Sequence, residues 1–289
     1  MPRSWLRPFH QACLAAILAV LAVLAGCAGG LKIDTSHTAR GQDSRVQYVI
    51  LHYTSSNAER ALRTLTQGEV SSHYLINDTP PTIYRLVDEN RRAWHAGDSS
   101  WQGRTWLNAS SIGIEIVHPG YRDGPDGRYW YPWNPQQIDA LIPLLQDILQ
   151  RHGLPPERVI GHSDIAPQRK LDPGPLFPWQ QLAAAGVAIW PDAARVNHYE
   201  ALLGELTPSL EWFAATLERF GYSLGGTGDE ARRLRNVIAA FQMRFRPARH
   251  DGEADPETAA ILAALVPGSF ERIGDYHRLQ QVEPFPTQP

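Results

Sequence analysis

The apolar positions of this chain change period several times along its length, and each change marks an element. From Val46 to Thr54, "VQYVILHYT", apolar residues fill both faces, the pattern of a buried strand. "SSHYLIN" (71–77) and "TIYRLV" (82–87) flank the turn "DTPP" and predict a strand pair. In "SIGIEIV" (111–117), Ile112, Ile114 and Ile116 share one face, and Gly113, Glu115 and Val117 the other. The period then lengthens to that of a helix. Ile138, Leu141, Ile142, Leu145, Ile148 and Leu149 form one stripe. Asn134 suits the cap of this helix and Pro135 its first turn, Pro143 predicts a kink, and Gly153 an end. "RVIGH" (158–162) predicts a short strand. Strands and helices interleaved in this way predict an α/β domain over residues 45–189, a mixed central sheet flanked by helices.

Past residue 190 the strand patterns stop. Residues 190–205 read as a linker. Thr207 suits a helix cap and Pro208 a helix start, with Leu210, Phe213, Ala214 and Leu217 facing inward and Gly221 as the stop. In "DEARRLRNVIAAFQMRF" the residues Leu234, Val237, Ile238, Phe241 and Phe245 share a face. Asp255 caps and Pro256 starts a third helix through "ETAAILAAL". Three helices over residues 206–268 enclose only a small core, so this C-terminal three-helix domain reads as a module serving the larger one. The arginines Arg232, Arg233, Arg235, Arg244 and Arg246 read as a solvated face of such a module. Residues 269–289 read as an unstructured tail.

The N-terminal pattern is different again. Arg3 and Arg7 precede an uncharged apolar run, Leu14 to Ala25. It is too short for a membrane span and the right length for a secretory leader. It ends in "LAGC", Leu24 to Cys27, which resembles the bacterial lipoprotein signal. That resemblance implies a signal peptide over residues 1–26 and a lipid (palmitate among its acyl chains) on Cys27. Residues 27–44 are then a polar tether with a reach of roughly 20–25 Å. By resemblance to the lipoproteins of Gram-negative bacteria, Ala28 rather than aspartate after the cysteine implies the outer membrane, facing the periplasm. An ordinary signal peptide or a short anchor is the alternative.

Composition narrows the classes. Hydrophobic residues make up 43% and charged residues 20% of the chain, which is a core-forming balance and not a disordered one. The net charge of −3 argues against a general nucleic-acid binder. Of the two cysteines, Cys13 leaves with the leader and Cys27 carries lipid. Disulfides, cysteine nucleophiles and cysteine-rich zinc sites are thereby excluded. Nothing in the sequence demands more than a monomer.

The candidate chemistry lies in "GHSDIAPQRKLDPGPLFPW", Gly161 to Trp179. Pro167, Pro173, Pro175 and Pro178 exclude a helix or a central strand here and make a rigid, polar loop. It holds His162, Lys170 and Asp172. With His52 of the first strand, two histidines and one carboxylate match the ligand pattern of a catalytic zinc site, although spacing alone also allows His52 to be a hydrogen-bonded core histidine. Glu115 lies mid-strand among apolar residues. A buried unpaired glutamate is costly, so it reads as facing a polar cavity, where a carboxylate beside a metal site is a general base. Lys170 reads either as an oxyanion partner or as a surface lysine.

Together "ILHYT", "SSHYLI", "AWHAG", "SIGIEIVHPG" and "GHSDIAPQRKLDPGPLFPW" resemble the zinc-dependent N-acetylmuramoyl-L-alanine amidases of the type-2 amidase family, most of all its outer-membrane lipoprotein member. The resemblance covers most of the chain from Cys27 to about residue 266. It implies one zinc ion per chain on His52, His162 and Asp172, with Glu115 as the catalytic residue and Lys170 assisting at the developing oxyanion. It also implies hydrolysis of the amide between the lactyl group of N-acetylmuramic acid and L-alanine, in peptidoglycan or muropeptides including anhydro forms, for cell-wall turnover or recycling. Gln168 stands where relatives often carry a small residue. Trp94, His95 and His118 are possible substrate contacts or packing residues, and His73 reads as structural. "VIAAFQMRFRP" and "DGEADPETAAIL" resemble a peptidoglycan-binding domain, with a stability cap as the alternative. Two rival functions remain open, a non-catalytic peptidoglycan receptor on the same fold and a zinc peptidase. The sequence has no H-E-x-x-H helix, which lowers the second.

Overall fold

The computed structural model describes residue 31, residues 33–125 and residues 127–274. The expected leader, Cys27 and the tail from residue 275 lie outside the described residues. In chain order the strands are β1 (Tyr48–Tyr53), β2 (Tyr74–Ile76), β3 (Ile83–Arg85), β4 (Ser100–Trp101), β5 (Arg104–Thr105), β6 (Ser111–Ile116), β7 (Tyr121–Gly124), β8 (Gly127–Trp130) and β9 (Val159–Gly161). The helices are α1 (Ala58–Gln67), α2 (Pro135–His152), α3 (His162–Ile165), α4 (Trp179–Ala184), α5 (Ala193–Leu203), α6 (Leu210–Phe220), α7 (Glu230–Phe245) and α8 (Pro256–Leu265).

Five strands form one sheet in the order β3-β2-β6-β1-β9. Strands β2, β6, β1 and β9 are parallel, and β3 is antiparallel to β2. The apolar-on-both-faces pattern of β1 follows from this central position. Val49 and Leu51 join Ile112, Ile114 and Ile116 of β6 on one face, where Ile138, Leu141, Leu145, Ile148 and Leu149 of α2 cover them. Each such buried side chain contributes roughly 1.5–3 kcal/mol. The caps of α2 are those the sequence predicts. Asn134 accepts a hydrogen bond from the Gln136 amide, and Gly153 ends the helix with a left-handed φ of 64°. The helix continues through Pro143.

The opposite face carries Tyr48, Ile50 and Ile160. The same core runs without a break into the C-terminal helices, through Phe213, Leu217, Val237, Phe241 and Leu262. The core of the helical module is therefore continuous with that of the sheet. It completes the core of the sheet.

Five expectations need correction. The expected linker contains α5, capped by Asp192, because its Val196, Tyr199 and Leu203 pack on the shared core. The cap of α6 is Ser209, whose side chain accepts from the Trp212 amide. Thr207 and Pro208 precede it, and Leu210 is exposed while Trp212 is buried. The expected tail begins with order. Ser269 and Ile273 are buried, and the Trp212 indole donates to the Ser269 carbonyl. A single helical turn, α3, fits in the proline-rich loop because it ends before Pro167. Finally, Arg244 and Arg246 are buried, not solvated.

Candidate active site

The register of the sheet assembles the site. His52 lies directly beside Glu115 across the parallel β1–β6 pair. His162 is the first residue of α3, just beyond β9 on the other flank of β1. All three stand at the carboxyl ends of parallel strands, where open α/β sheets bind ligands. The loop then brings Asp172 back, fixed by a hydrogen bond from the Ser163 amide to its carbonyl at 2.8 Å. Gly161 permits this return, since a Cβ there would meet Pro173 at 2.8 Å.

Three ligand atoms converge. His52 Nδ1 lies 2.9 Å from His162 Nδ1 and 3.2 Å from Asp172 Oδ2. His162 Nδ1 lies 3.0 Å from the same oxygen. The outward nitrogens are fixed by carbonyls, which can only accept. His162 Nε2 faces the Ala96 carbonyl at 3.2 Å, so the proton of the neutral ring sits there and Nδ1 keeps a lone pair. Ser111 Oγ donates to the Leu107 carbonyl at 2.6 Å and therefore accepts from His95 Nε2 at 3.2 Å. His95 Nδ1 then accepts from His52 Nε2 at 3.0 Å, which leaves His52 Nδ1 with a lone pair as well. Two lone pairs and a carboxylate oxygen thus face one another at about 3 Å. A small divalent cation held by all three relieves this repulsion, and the N, N, O donor set fits one. The residues His52, His162 and Asp172 can therefore hold a metal.

The electrostatics agree. Burial pushes His52 down to about 4 despite Asp172, so it is neutral and able to donate its lone pair.

A cavity of about 380 Å³ opens above these atoms, lined among others by Tyr53, Arg60, Trp94, Glu115, Lys170 and Asp172. Glu115 Oε2 is enclosed and has no hydrogen-bond partner. Burial, then the negative charge of Asp172, pushes Glu115 up to about 8, with Lys170 acting in the opposite direction. An enclosed carboxylate without a donor, beside a metal-ligating cluster, is equipped to take up and release a proton.

The remaining sequence candidates divide. Trp94 is half exposed on the cavity wall, with the Arg92 guanidinium 4.2 Å above its ring. His95 reaches the cavity, but it is buried and its ring lies against Gly113. A Cβ on Gly113 would sit 2.3 Å from that ring, which explains the small residue beside Glu115. His118 is not brought to the cavity. It is buried, stacked on Trp133, and both ring nitrogens are engaged, by the Gly120 amide and the Pro132 carbonyl. His73 is structural, accepting from the Gly113 amide and facing the Arg91 carbonyl. The sequence reading missed Ser111, which sets the tautomer of His95, and Arg169, which ties the loop to the Asp98 carbonyl at 2.6 Å. It also missed Tyr53 and Arg60 on the cavity wall. Tyr53 was within reach, since it follows His52 in "ILHYT"; α1, which carries Arg60, has no apolar stripe long enough to notice.

Comparison with known proteins places this geometry. A family profile described as N-acetylmuramoyl-L-alanine amidase matches residues 42–175, and a peptidoglycan binding domain profile matches residues 207–262. N-acetylmuramoyl-L-alanine amidase AmiD of Escherichia coli is 46% identical over 276 residues, covering 90% of this chain and 98% of AmiD. A solved complex of AmiD with anhydro-N-acetylmuramic acid-L-Ala-D-γ-Glu-L-Lys superposes with a TM-score of 0.76, covering 82% of this chain and 94% of that one. AmpDH3 of Pseudomonas aeruginosa, solved with an anhydromuramic pentapeptide, is 40% identical with the same TM-score, covering 82% and 98% of the two chains. The 1,6-anhydro-N-acetylmuramyl-L-alanine amidase AmpD of Escherichia coli is 40% identical over 110 residues, 38% of this chain and 55% of AmpD.

Proposed function

The chain belongs to the N-acetylmuramoyl-L-alanine amidase family, and from that premise we propose which residues of this amidase do the work and on what substrate. It hydrolyses the amide between a muramoyl lactyl group and L-alanine, a reaction of cell-wall turnover. His52, His162 and Asp172 hold one zinc ion, and zinc so held supplies a Lewis acid that activates water and polarises the substrate carbonyl. The Glu115 carboxylate, on the cavity wall, takes the proton of the attacking water. As the carbon–oxygen bond forms, negative charge grows on the carbonyl oxygen, and the Lys170 ammonium on the cavity wall stabilises it. The carbon–nitrogen bond then breaks, and Glu115 returns its proton to the departing L-alanine amine. The orphaned oxygen of Glu115 is the observation that carries this assignment, since a structural carboxylate would have found a donor.

Muropeptides carrying anhydro-muramic acid are the proposed substrates, since such molecules are bound in the two solved relatives above. Trp94 gives one wall of the cavity an aromatic surface for a sugar or a peptide bond. For the location, Cys27 carries lipid and anchors the enzyme to the outer membrane, facing the periplasm. The uncharged run Leu14–Ala25 and "LAGC" support this. Among the described residues, no helix is long and apolar enough to cross a membrane.

Mass spectrometry of a purified anhydro-muropeptide tests the reading. Incubation with the chain should release free stem peptide and unsubstituted sugar, and chelator should stop it. Bound but uncut muropeptide on zinc-loaded protein would instead support a receptor.

A further inference from the structure

The loop that carries His162 and Asp172 rests on the C-terminal helices. Asp164, two residues after His162, is buried at the bottom of α3. Its Oδ1 accepts from the Tyr222 hydroxyl at 2.6 Å. Its Oδ2 accepts from the Gly161 amide at 2.8 Å and from Arg244 Nη1 at 2.7 Å. Arg244, on α7, also donates from Nη2 to the Val159 carbonyl at 3.0 Å, at the start of β9. Its guanidinium lies 4.4 Å over the ring of Trp179, where the loop ends. One arginine therefore touches both ends of the stretch 159–179. The loop tip is tied to the same helix. Gln168 donates to the Arg233 carbonyl at 3.0 Å and accepts from Asn236 at 2.8 Å. Both Arg244 and Tyr222 are buried and belong to the module, not to the sheet.

A buried arginine–carboxylate pair is expensive to desolvate and is weak evidence for stability by itself. Apolar residues would join two parts of a core at lower cost, as Phe213, Phe241 and Leu217 do here. What the polar cluster adds is direction. Hydrogen bonds from three sides fix the position of Asp164, and through the Gly161 amide they fix the turn on which His162 begins.

We propose that Arg244 and Tyr222 are positioning residues for the hydrolytic reaction: the helical module sets, through Asp164, the placement of His162 at the metal. This rests on the reading of His162 as a metal ligand. It gives the module a part in catalysis that does not depend on glycan binding.

The test compares the full chain with its Tyr222→Phe, Arg244→Lys and Arg244→Met variants. Tyr222→Phe keeps the packed ring and removes only the donor, so it serves if Arg244→Met fails to fold. Zinc affinity is measured by competition with a chromogenic chelator, ligand geometry by the visible spectrum of the cobalt-substituted protein, and folding by thermal denaturation. In folded Tyr222→Phe the zinc dissociation constant should rise about tenfold and the cobalt bands should shift. The value of kcat should fall with KM unchanged, and Arg244→Lys should recover part of what Arg244→Met loses. Variants that melt earlier but keep the parental zinc affinity and cobalt spectrum would overturn the proposal and leave the cluster a mere joint. A parent chain that takes up no zinc would overturn the metal reading, and this proposal with it.

Discussion

Asp164 and Glu115 are carboxylates withdrawn from water in neighbouring parts of one loop-and-sheet assembly, and their surroundings are opposite. Beneath the loop, Asp164 receives donors from Tyr222, Gly161 and Arg244. Above the sheet, Glu115 Oε2 receives none. A carboxylate saturated with donors has no capacity left for a travelling proton, and its value lies in where it holds the chain. An enclosed carboxylate without donors is costly to the fold, and its ionisation is poised for proton transfer. The same residue chemistry thus suits support in one region and, in the proposed mechanism, reaction in the other.

The largest expected effect comes from the cation site between the two regions. Chelation, or Asp172→Ala, should abolish release of stem peptide, because the lone pairs of His52 and His162 then have no common partner. Turnover that survives chelator at the parental rate would break the comparison, since Glu115 would be working without the cluster. Next comes the saturated region. Arg244→Met leaves Asp164 buried without its counter-charge and should cost about 3–5 kcal/mol in unfolding free energy, read by denaturant titration. The relay behind His52 is subtler. Ser111→Ala frees the tautomer of His95, and zinc affinity should fall about tenfold by chelator competition, with thermal stability little changed.

Glu89 extends the comparison to the surface and gives the smallest effect. It receives donors from Arg151, His152 and Tyr74. Burial tends to raise it, but these partners bring it down to about 2. Its folded value lies below its unfolded one. The stability it confers is therefore complete above about pH 4.5 and is lost as pH falls through about 2. Because solvent screens this partly exposed group, Glu89→Gln should remove only about 1 kcal/mol at neutral pH and flatten the acid limb of the stability profile. An acid limb identical to the parent's would show that these hydrogen bonds do not act on Glu89 as described.

The sheet and most of the candidate metal cluster are legible in the sequence for a physical reason. Strand alternation places Glu115 on the face opposite Ile112, Ile114 and Ile116, and prolines confine Asp172 to one loop. The support beneath the loop is not legible. Arg244 looks like any arginine of a helix face, because its partners Asp164 and Val159 lie some eighty residues away in the sequence. His95 and Ser111 are likewise joined only by the fold. The hairpins β4–β5 and β7–β8 are too short and too polar to show a period. The helix α5 hides because its stripe packs on other helices and not on the sheet, and α3 because a single turn precedes the first proline of its loop.

The most direct test of the account is a Glu115→Gln chain, assayed for bound zinc by elemental analysis and for muropeptide cleavage by mass spectrometry. The account predicts one zinc per chain, as in the parent, with release of stem peptide slowed by at least about a hundredfold. Full zinc together with parental turnover would contradict it, because the proton would then travel without the carboxylate whose Oε2 is, among the described residues, the one enclosed carboxylate oxygen left without a donor.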